Sequence, residues 1–270
     1  GYPIQLDKLM NKTAIIVPCY NETKRLKENL FLEGLQRYEE MTLVFVDDGS
    51  KDRTLDMLHS LANQNSKRIK VIPLTQNSGK AEAVRRGMVN ALEEDFNFVG
   101  YLDADLSTSV DAIMEFPRIL ELANVEMVMG SRVKLLGKDI ERNVGRHYLG
   151  RFFATYASIC LKLAVYDTQC GAKLFKNTPR IKSIFSERFL TNWVFDVEIL
   201  ARYIIATHYE GSKDPSGLIV EKPLNAWKDI GGSKLKLPQV PTILKDMVVL
   251  AYSYSPTIYK INKDSQNKRS

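Results

Sequence analysis

The sequence predicts an α/β protein in which a mixed, mainly parallel sheet is flanked by helices. Three observations predict it. Short β-rich runs alternate with amphipathic stretches through the first half of the chain, each strand is followed by a stretch long enough for a helical crossover, and the first strands end in polar residues rather than in more apolar core. With 270 residues, 44% of them hydrophobic, the chain is large enough for one big domain or two small ones.

A β-rich run at Thr13 to Val17 opens the pattern, followed by helical periodicity from Glu22 to about Arg37 and a strand at Thr42 to Val46. A capped helix after Ser50, a strand around Arg68 to Pro73, a helix from Ser78 to about Glu94 and a strand from Phe98 to Leu102 continue it. Strands joined by such crossovers run parallel, are covered by helices on both faces, and bind ligands beyond their carboxyl ends. A helix from about Asp111 to Ala123 then leads into the apolar run Glu126 to Met129. After it the pattern loosens into a basic stretch, Arg132 to Arg151, which reads as a mobile loop. Gly211 to Gly217 reads as a turn between a helix and a short strand at Leu218 to Glu221. The apolar residues from Ile243 to Ile261, among them Val248, Leu250, Tyr252 and Tyr259 with lysines nearby, suit a core-packing helix or one lying on a membrane surface. The polar, basic tail from Asp264 to Ser270 is expected to be disordered. These readings divide the chain into an N-terminal arm (1–11), one large domain (12–235) and a C-terminal helical segment with its tail (236–270).

The net charge of +6 and pI near 9.0 favour anionic partners without choosing among nucleotide, phospholipid and nucleic acid. The basic residues are scattered and match no nucleic-acid recognition motif, so no nucleic-acid partner is expected. No run approaches the ~18 to 20 apolar residues of a spanning helix, and the start GYPIQLDKLMNK lacks the apolar core of a signal peptide. A cytoplasmic protein is expected, peripheral on the cytoplasmic face of a membrane if it has a membrane partner. Cys19, Cys160 and Cys170 lack the spacing of a zinc site or disulfide framework and read as free, buried thiols.

Chemistry concentrates after the strands. Pro18-Cys19-Tyr20-Asn21-Glu22 follows the first, with Pro18 stopping the strand and Tyr20 offering an aromatic face to a base. Asp47-Asp48-Gly49-Ser50 follows the second, where Asp48 can accept from a base N–H or a ribose hydroxyl; the same four residues also make a good turn and helix cap. The strand ending in Tyr101-Leu102-Asp103-Ala104-Asp105 places two carboxylates where they can converge on Mg²⁺ or Mn²⁺ bound to a diphosphate, or remain two solvated loop aspartates. Asn77-Ser78-Gly79-Lys80 opens a helix without Walker spacing, so Lys80 suits either phosphate contact or an ordinary cap.

The motifs PCYNE, VDDGS, NSGKAEAVRRGM, LDADLS and GSR, in that order and spacing, resemble family 2 glycosyltransferases of GT-A (Rossmann-like) fold over roughly residues 12 to 230. DTQCGAKLF (Asp167 to Phe175) and WVFDVEIL (Trp193 to Leu200) resemble the dolichyl-phosphate glucosyltransferase branch, with the dolichyl-phosphate mannose synthases next. The resemblance implies a metal-dependent hexosyltransferase using a nucleoside diphosphate sugar (UDP-glucose or GDP-mannose), inversion at the anomeric carbon and a polyprenyl phosphate acceptor. Position by position, it puts Pro18, Tyr20, Glu22 and Asp48 around the nucleoside, Asp103 and Asp105 at the metal and diphosphate, and Lys80 as an additional contact. Ser107 stands where several mannose synthases use a glutamine to help hold the metal. Arg132 and Arg146 match basic positions that in the family contact the acceptor phosphate, a task suited to the planar guanidinium.

A phosphate monoester, with a second pKa near ~6, is already a nucleophilic oxyanion at neutral pH and needs positioning rather than a base. Asp196, in Phe195-Asp196-Val197-Glu198, can orient a sugar hydroxyl, act as base for an alcohol acceptor, or stabilise a helix start. A soluble family 2 enzyme acting on a hydroxyl of a polysaccharide or other glycoconjugate, with Asp196 as base, is therefore the alternative within enzymes. A non-catalytic nucleotide-sugar sensor is the alternative outside them, opposed by the intact Asp103 and Asp105 pair.

Overall fold

The computed structural model describes residues 11–133, 139–140, 144–211, 214–227 and 239–267. Strand β1 (Thr13–Cys19) sends Ala14 and Ile16 to one face of the sheet and Ile15 and Val17 to the other, all fully buried, because side chains alternate along a strand. Helix α1 (Glu28–Arg37), β2 (Met41–Asp47), α2 (Thr54–Gln64), β3 (Ile69–Pro73), α3 (Lys80–Leu92) and β4 (Phe98–Leu102) follow. Beyond them come α4 (Val110–Ile113), α5 (Phe116–Leu122), β5 (Met127–Ser131), the short β6 (Asp139–Ile140), α6 (Val144–Leu161), β7 (Ala172–Lys176), α7 (Pro179–Ser186), α8 (Phe195–Tyr209), β8 (Ile219–Pro223), the short β9 (Ala226–Trp227) and α9 (Val240–Asn267). The main sheet has the order β3-β2-β1-β4-β7-β5-β8, and β6 pairs with β9 apart from it. All its neighbours are parallel except β7, which lies antiparallel to both β4 and β5.

Each face of this sheet has its own apolar layer. Ala14, Ile16, Val99, Tyr101, Met127 and Phe175 pack against α3, α6, α7, α8 and α9 on one side. Ile15, Val17, Phe45, Phe98, Val128 and Leu174 pack against α1, α2, α4 and α5 on the other. Two-sided burial is why the strands read as near-continuous apolar runs rather than alternating ones. Ile243, Met247, Leu250 and Ile258 of α9 are buried in the first layer, so the C-terminal helix packs on the core of the sheet.

Several expected boundaries move, each for a local reason. Helix α1 starts at Glu28 instead of Glu22: Asn21 has a left-handed φ of 53°, and the amides of Arg25 and Leu26 both donate to the Glu22 carbonyl in a turn. Pro18 does not end β1, which continues to Cys19 with Pro18 opposite Val46. The expected helix from Asp111 to Ala123 is two short helices. Ser109 caps α4 by accepting from the Ala112 amide at 3.1 Å, and Pro117, which lacks an N–H and clashes with the preceding turn of a continuous helix, sits in the first turn of α5. From Val144 the basic stretch is helix α6, not loop, and the expected disordered tail is helical as far as Asn267. The three cysteines are free and buried, as expected.

Candidate active site

The carboxyl ends of β1, β2, β4 and β5 lie along one edge of the sheet, where β7 begins: Cys19 is opposite Asp47, Leu102 opposite Ala172, and Ser131 opposite Pro223. The loops that leave this edge carry Tyr20, Glu22, Asp48, Asp103, Asp105 and Arg132.

On the β1 and β2 side, Tyr20 is 36% exposed and its ring is available to stack on a base. Glu22 is buried, its amide donates to Thr54 Oγ1 at 2.8 Å, and its carboxylate accepts from Arg25 at 2.7 Å. Asp48 is also buried, with Oδ1 accepting from the Ser78 amide at 2.7 Å and Oδ2 from the Gly79 amide at 2.9 Å. Burial pushes the Asp48 carboxyl above its ordinary pKa, opposed by those two N–H groups. This carboxylate therefore ties the β2 loop to the loop that opens α3, and a carboxylate's remaining lone pairs suit a ribose or base contact. Gly49 makes the approach feasible, with φ of 64° and backbone atoms of Gln76 and Asn77 where any Cβ would fall.

At the end of β4, the Leu106 amide donates back to the Asp103 carbonyl, and the Ser107 amide donates to Asp105 Oδ1 at 3.0 Å. Lys80, first residue of α3, reaches Asp103 with Nζ 2.5 Å from Oδ1. Burial disfavours the Lys80 ammonium, yet the negative charges of Asp103, Asp196 and Asp105 outweigh it and hold its pKa above the usual lysine value. Positive charge is thus stabilised at this spot. Two hard carboxylates in a field that already favours a cation fit Mg²⁺ or Mn²⁺, which take oxygen ligands and share them with phosphates and water. Gly171 makes room for this pair: a Cβ there would fall 2.1 Å from Asp103 Oδ2.

Arg132, just past β5, is forked by Asp167, with Nε and Nη2 each 2.7 Å from a carboxylate oxygen and the Arg132 amide donating to Oδ2 at 3.0 Å. Burial works against this guanidinium, but Asp167 raises its pKa further, so it is a permanent cation with a fixed orientation. Glu221 of β8 in turn accepts from the Tyr166 and Asp167 amides. Arg146 lies on α6, but its side chain lies outside the described residues.

Asp196 stands in the first turn of α8 and is 4% exposed. Its Oδ1 accepts from the Tyr101 hydroxyl and from Lys173 Nζ. Burial and the neighbouring Asp167 charge raise the Cys170 thiol to about 11, which makes it inert as a nucleophile. Sequence reasoning missed Asp167, Gly171, Lys173 and Glu221 as individual residues. Lys173 had a signal, a lone charge inside the otherwise apolar run Ala172 to Phe175.

The sequence profile of glycosyl transferase family 2 matches residues 14–183, which takes in every loop described above through Gly171. The chain belongs to glycosyl transferase family 2. It is similar to the dolichyl-phosphate beta-glucosyltransferase of Dictyostelium discoideum, at 32% identity over 92% of this chain and 76% of that one. It is 30% identical to the human protein of the same name over 85% of this chain and 71% of that one. Among solved structures it is similar to glucosyl-3-phosphoglycerate synthase from Mycobacterium tuberculosis in complex with phosphoglyceric acid, with a TM-score of 0.60 at 14% identity, covering 91% of this chain and 80% of that one. The same enzyme with Mn²⁺ and UDP-glucose gives 0.58 at 15%, covering 91% and 79%. That likeness shows the fold: this glycosyltransferase has the GT-A architecture, and its polar loops occupy the carboxyl edge of the sheet.

Proposed function

We propose that this glycosyltransferase moves glucose from UDP-glucose to the phosphate of a dolichyl-type polyprenyl phosphate, with inversion at the anomeric carbon and a divalent metal at Asp103 and Asp105. The observation that carries the reading is the extent of the similarity. Dolichyl-phosphate beta-glucosyltransferases match 85% to 96% of this chain, well past residue 183 where the family profile ends, and so extend through α8 and Asp196.

Tyr20, Glu22 and Asp48 form the wall for the nucleoside. A divalent ion held by Asp103 and Asp105 would neutralise the diphosphate leaving group. Lys80 adds a fixed positive charge beside Asp103 and favours negative charge developing there. Arg132, with its orientation set by Asp167, presents its outer edge to the acceptor phosphate, and Arg146 is proposed as its companion. The phosphate oxyanion attacks without surrendering a proton, so the chain contributes alignment rather than a base. Asp196 is committed to Lys173 and Tyr101, which weighs against the reading in which it deprotonates a hydroxyl acceptor.

Among the described residues no helix is long and apolar enough to cross a membrane. The outward side of α9 exposes Leu244, Val248, Tyr252 and Tyr259, with Lys245 and Lys263 beside them. We propose that this side rests on the cytoplasmic face of a membrane, where an apolar stripe flanked by lysines is stable. Flotation with anionic vesicles that is unchanged in V248D/Y252D refutes that placement.

The function is tested by incubating the protein with Mn²⁺ or Mg²⁺, a panel of nucleotide sugars and a short polyprenyl phosphate in detergent. Glucosylated lipid from UDP-glucose alone is the expected product. Lipid product from GDP-mannose instead replaces the donor, and no lipid product from any donor removes the acceptor.

A further inference from the structure

We propose that Lys173 is a positioning residue of the transfer reaction, a buried ammonium that holds the 167–171 loop and through it sets both Arg132 and Asp103. The inference rests on the proposed reading of those two residues as acceptor and metal contacts.

Lys173 lies on β7 and is fully buried, on the same side of the strand as Phe175 and facing the α8 layer. An ammonium in that place is tolerated only if all three of its donors are satisfied. They are. Nζ donates to the Thr168 carbonyl at 2.9 Å, to the Cys170 carbonyl at 2.8 Å and to Asp196 Oδ1, and it sits 5.4 Å from the centre of the Tyr101 ring. Tyr101 donates to the same carboxylate oxygen, which closes a five-residue network under the site.

Two of the three acceptors are backbone carbonyls inside one short loop. Immediately before them stands Asp167, the residue that forks Arg132. Immediately after them stands Gly171, whose carbonyl accepts from the Asp103 amide at 3.0 Å and whose missing Cβ leaves space for the Asp103 carboxylate. The third acceptor belongs to the first turn of α8. Lys173 therefore fastens the loop from below to a rigid helix while the two ends of the loop orient the two sides of the reaction. Being fully buried, it acts through these partners and not by touching substrate.

The test compares wild type, K173M and the double variant K173M/D196L. The single variant leaves the two carbonyls without their donor and Asp196 without its counter-charge, and is expected to lose stability. The double variant removes the charge on both sides and is expected to recover part of that Tm loss, since it avoids the unpaired ion while the two carbonyls and the Tyr101 hydroxyl still lose their partners. Two properties are measured: Mn²⁺-dependent UDP binding by calorimetry, and kcat and KM for lipid phosphate. Displacement of Asp103 and Arg132 predicts UDP binding in Mn²⁺ weakened at least ~10-fold in the double variant, metal-free UDP binding unchanged, and acceptor KM raised at least ~10-fold. K173R, which keeps a cation facing the same carbonyls, is expected to retain more of both than K173M. A folded double variant with wild-type UDP binding in Mn²⁺ overturns the proposal. Wild-type protein that binds UDP with Mn²⁺ but makes no lipid product overturns the acceptor reading instead, and the binding comparison still decides the role of Lys173.

Discussion

Replacing Gly171 by alanine isolates the packing around Asp103. The new Cβ would lie 2.1 Å from Oδ2 and 2.2 Å from Cγ of Asp103, whereas real Cβ contacts stay beyond 3.0 Å. The carboxylate must retreat by roughly 1 Å, and a shift of that size in a reacting constellation costs on the order of 100-fold in rate. Retreat is resisted by Lys80, whose Nζ is 2.5 Å from the other oxygen of the same carboxylate. Overpacking of this kind costs about 1 to 3 kcal/mol of stability, roughly 2 to 4 °C of Tm per kcal/mol for a domain of this size. The expected result is therefore kcat/KM lower by about two orders of magnitude with a folded protein and a Tm drop below ~12 °C. Gly217→Ala is the control, because a Cβ at that position meets nothing within 4 Å. The assay is transfer from UDP-glucose under saturating Mn²⁺, alongside a Mn²⁺ titration of UDP binding. A Gly171→Ala variant that keeps more than half of wild-type kcat/KM refutes the claim that this contact sets the Asp103 carboxylate.

Asp105→Asn keeps an oxygen for the Ser107 amide but loses the charge, so transfer should fall at least ~100-fold while Tm stays close to wild type. Asp167→Asn should raise acceptor KM about 10-fold, with a smaller change in kcat, because the charge that orients Arg132 is gone; steady-state kinetics with varied lipid phosphate checks it. Asp52 gives a pH signature of stability. Against desolvation, hydrogen bonds from Thr54 and Thr23 together hold its carboxyl down to about 2. Its contribution is present above the unfolded carboxylate pKa near ~3.9 and lost as pH falls through about 2. The Tm gap between wild type and Asp52→Ala, measured by calorimetry, should therefore be widest above pH ~5 and shrink toward pH ~2. A gap that stays constant or widens on acidification contradicts this assignment.

The parallel strands were legible because their signal is local, whereas the antiparallel β7 was not read. β4 was read with its observed ends, and Asp103 and Asp105 follow it at the carboxyl edge because a strand buried on both faces has to end where the polar residues begin. Helix boundaries were less legible where one residue overrides a periodic pattern, as Pro117 does between α4 and α5 and as the left-handed Asn21 does before α1. The proposed acceptor side was hardest. Arg132 finds Asp167 across 35 residues and Lys173 finds Asp196 across 23, and both pairings depend on β7 entering antiparallel between β4 and β5. Nothing in the period of an isolated segment encodes such a meeting. Asp196 shows the consequence most clearly, since its neighbours in sequence suggested a sugar contact, a base or a helix start, and the partner that holds it in place comes from a different strand.

The proposed nucleophile is a phosphate oxyanion that is aligned by the chain and needs no base. This is tested most directly by offering UDP-glucose with a short polyprenyl phosphate and, separately, with the corresponding polyprenol, and following glucosyl lipid by mass spectrometry. Product is expected from the phosphate only, at a rate that falls below pH ~6 as the acceptor takes up a proton. Comparable glucosylation of the free alcohol contradicts it.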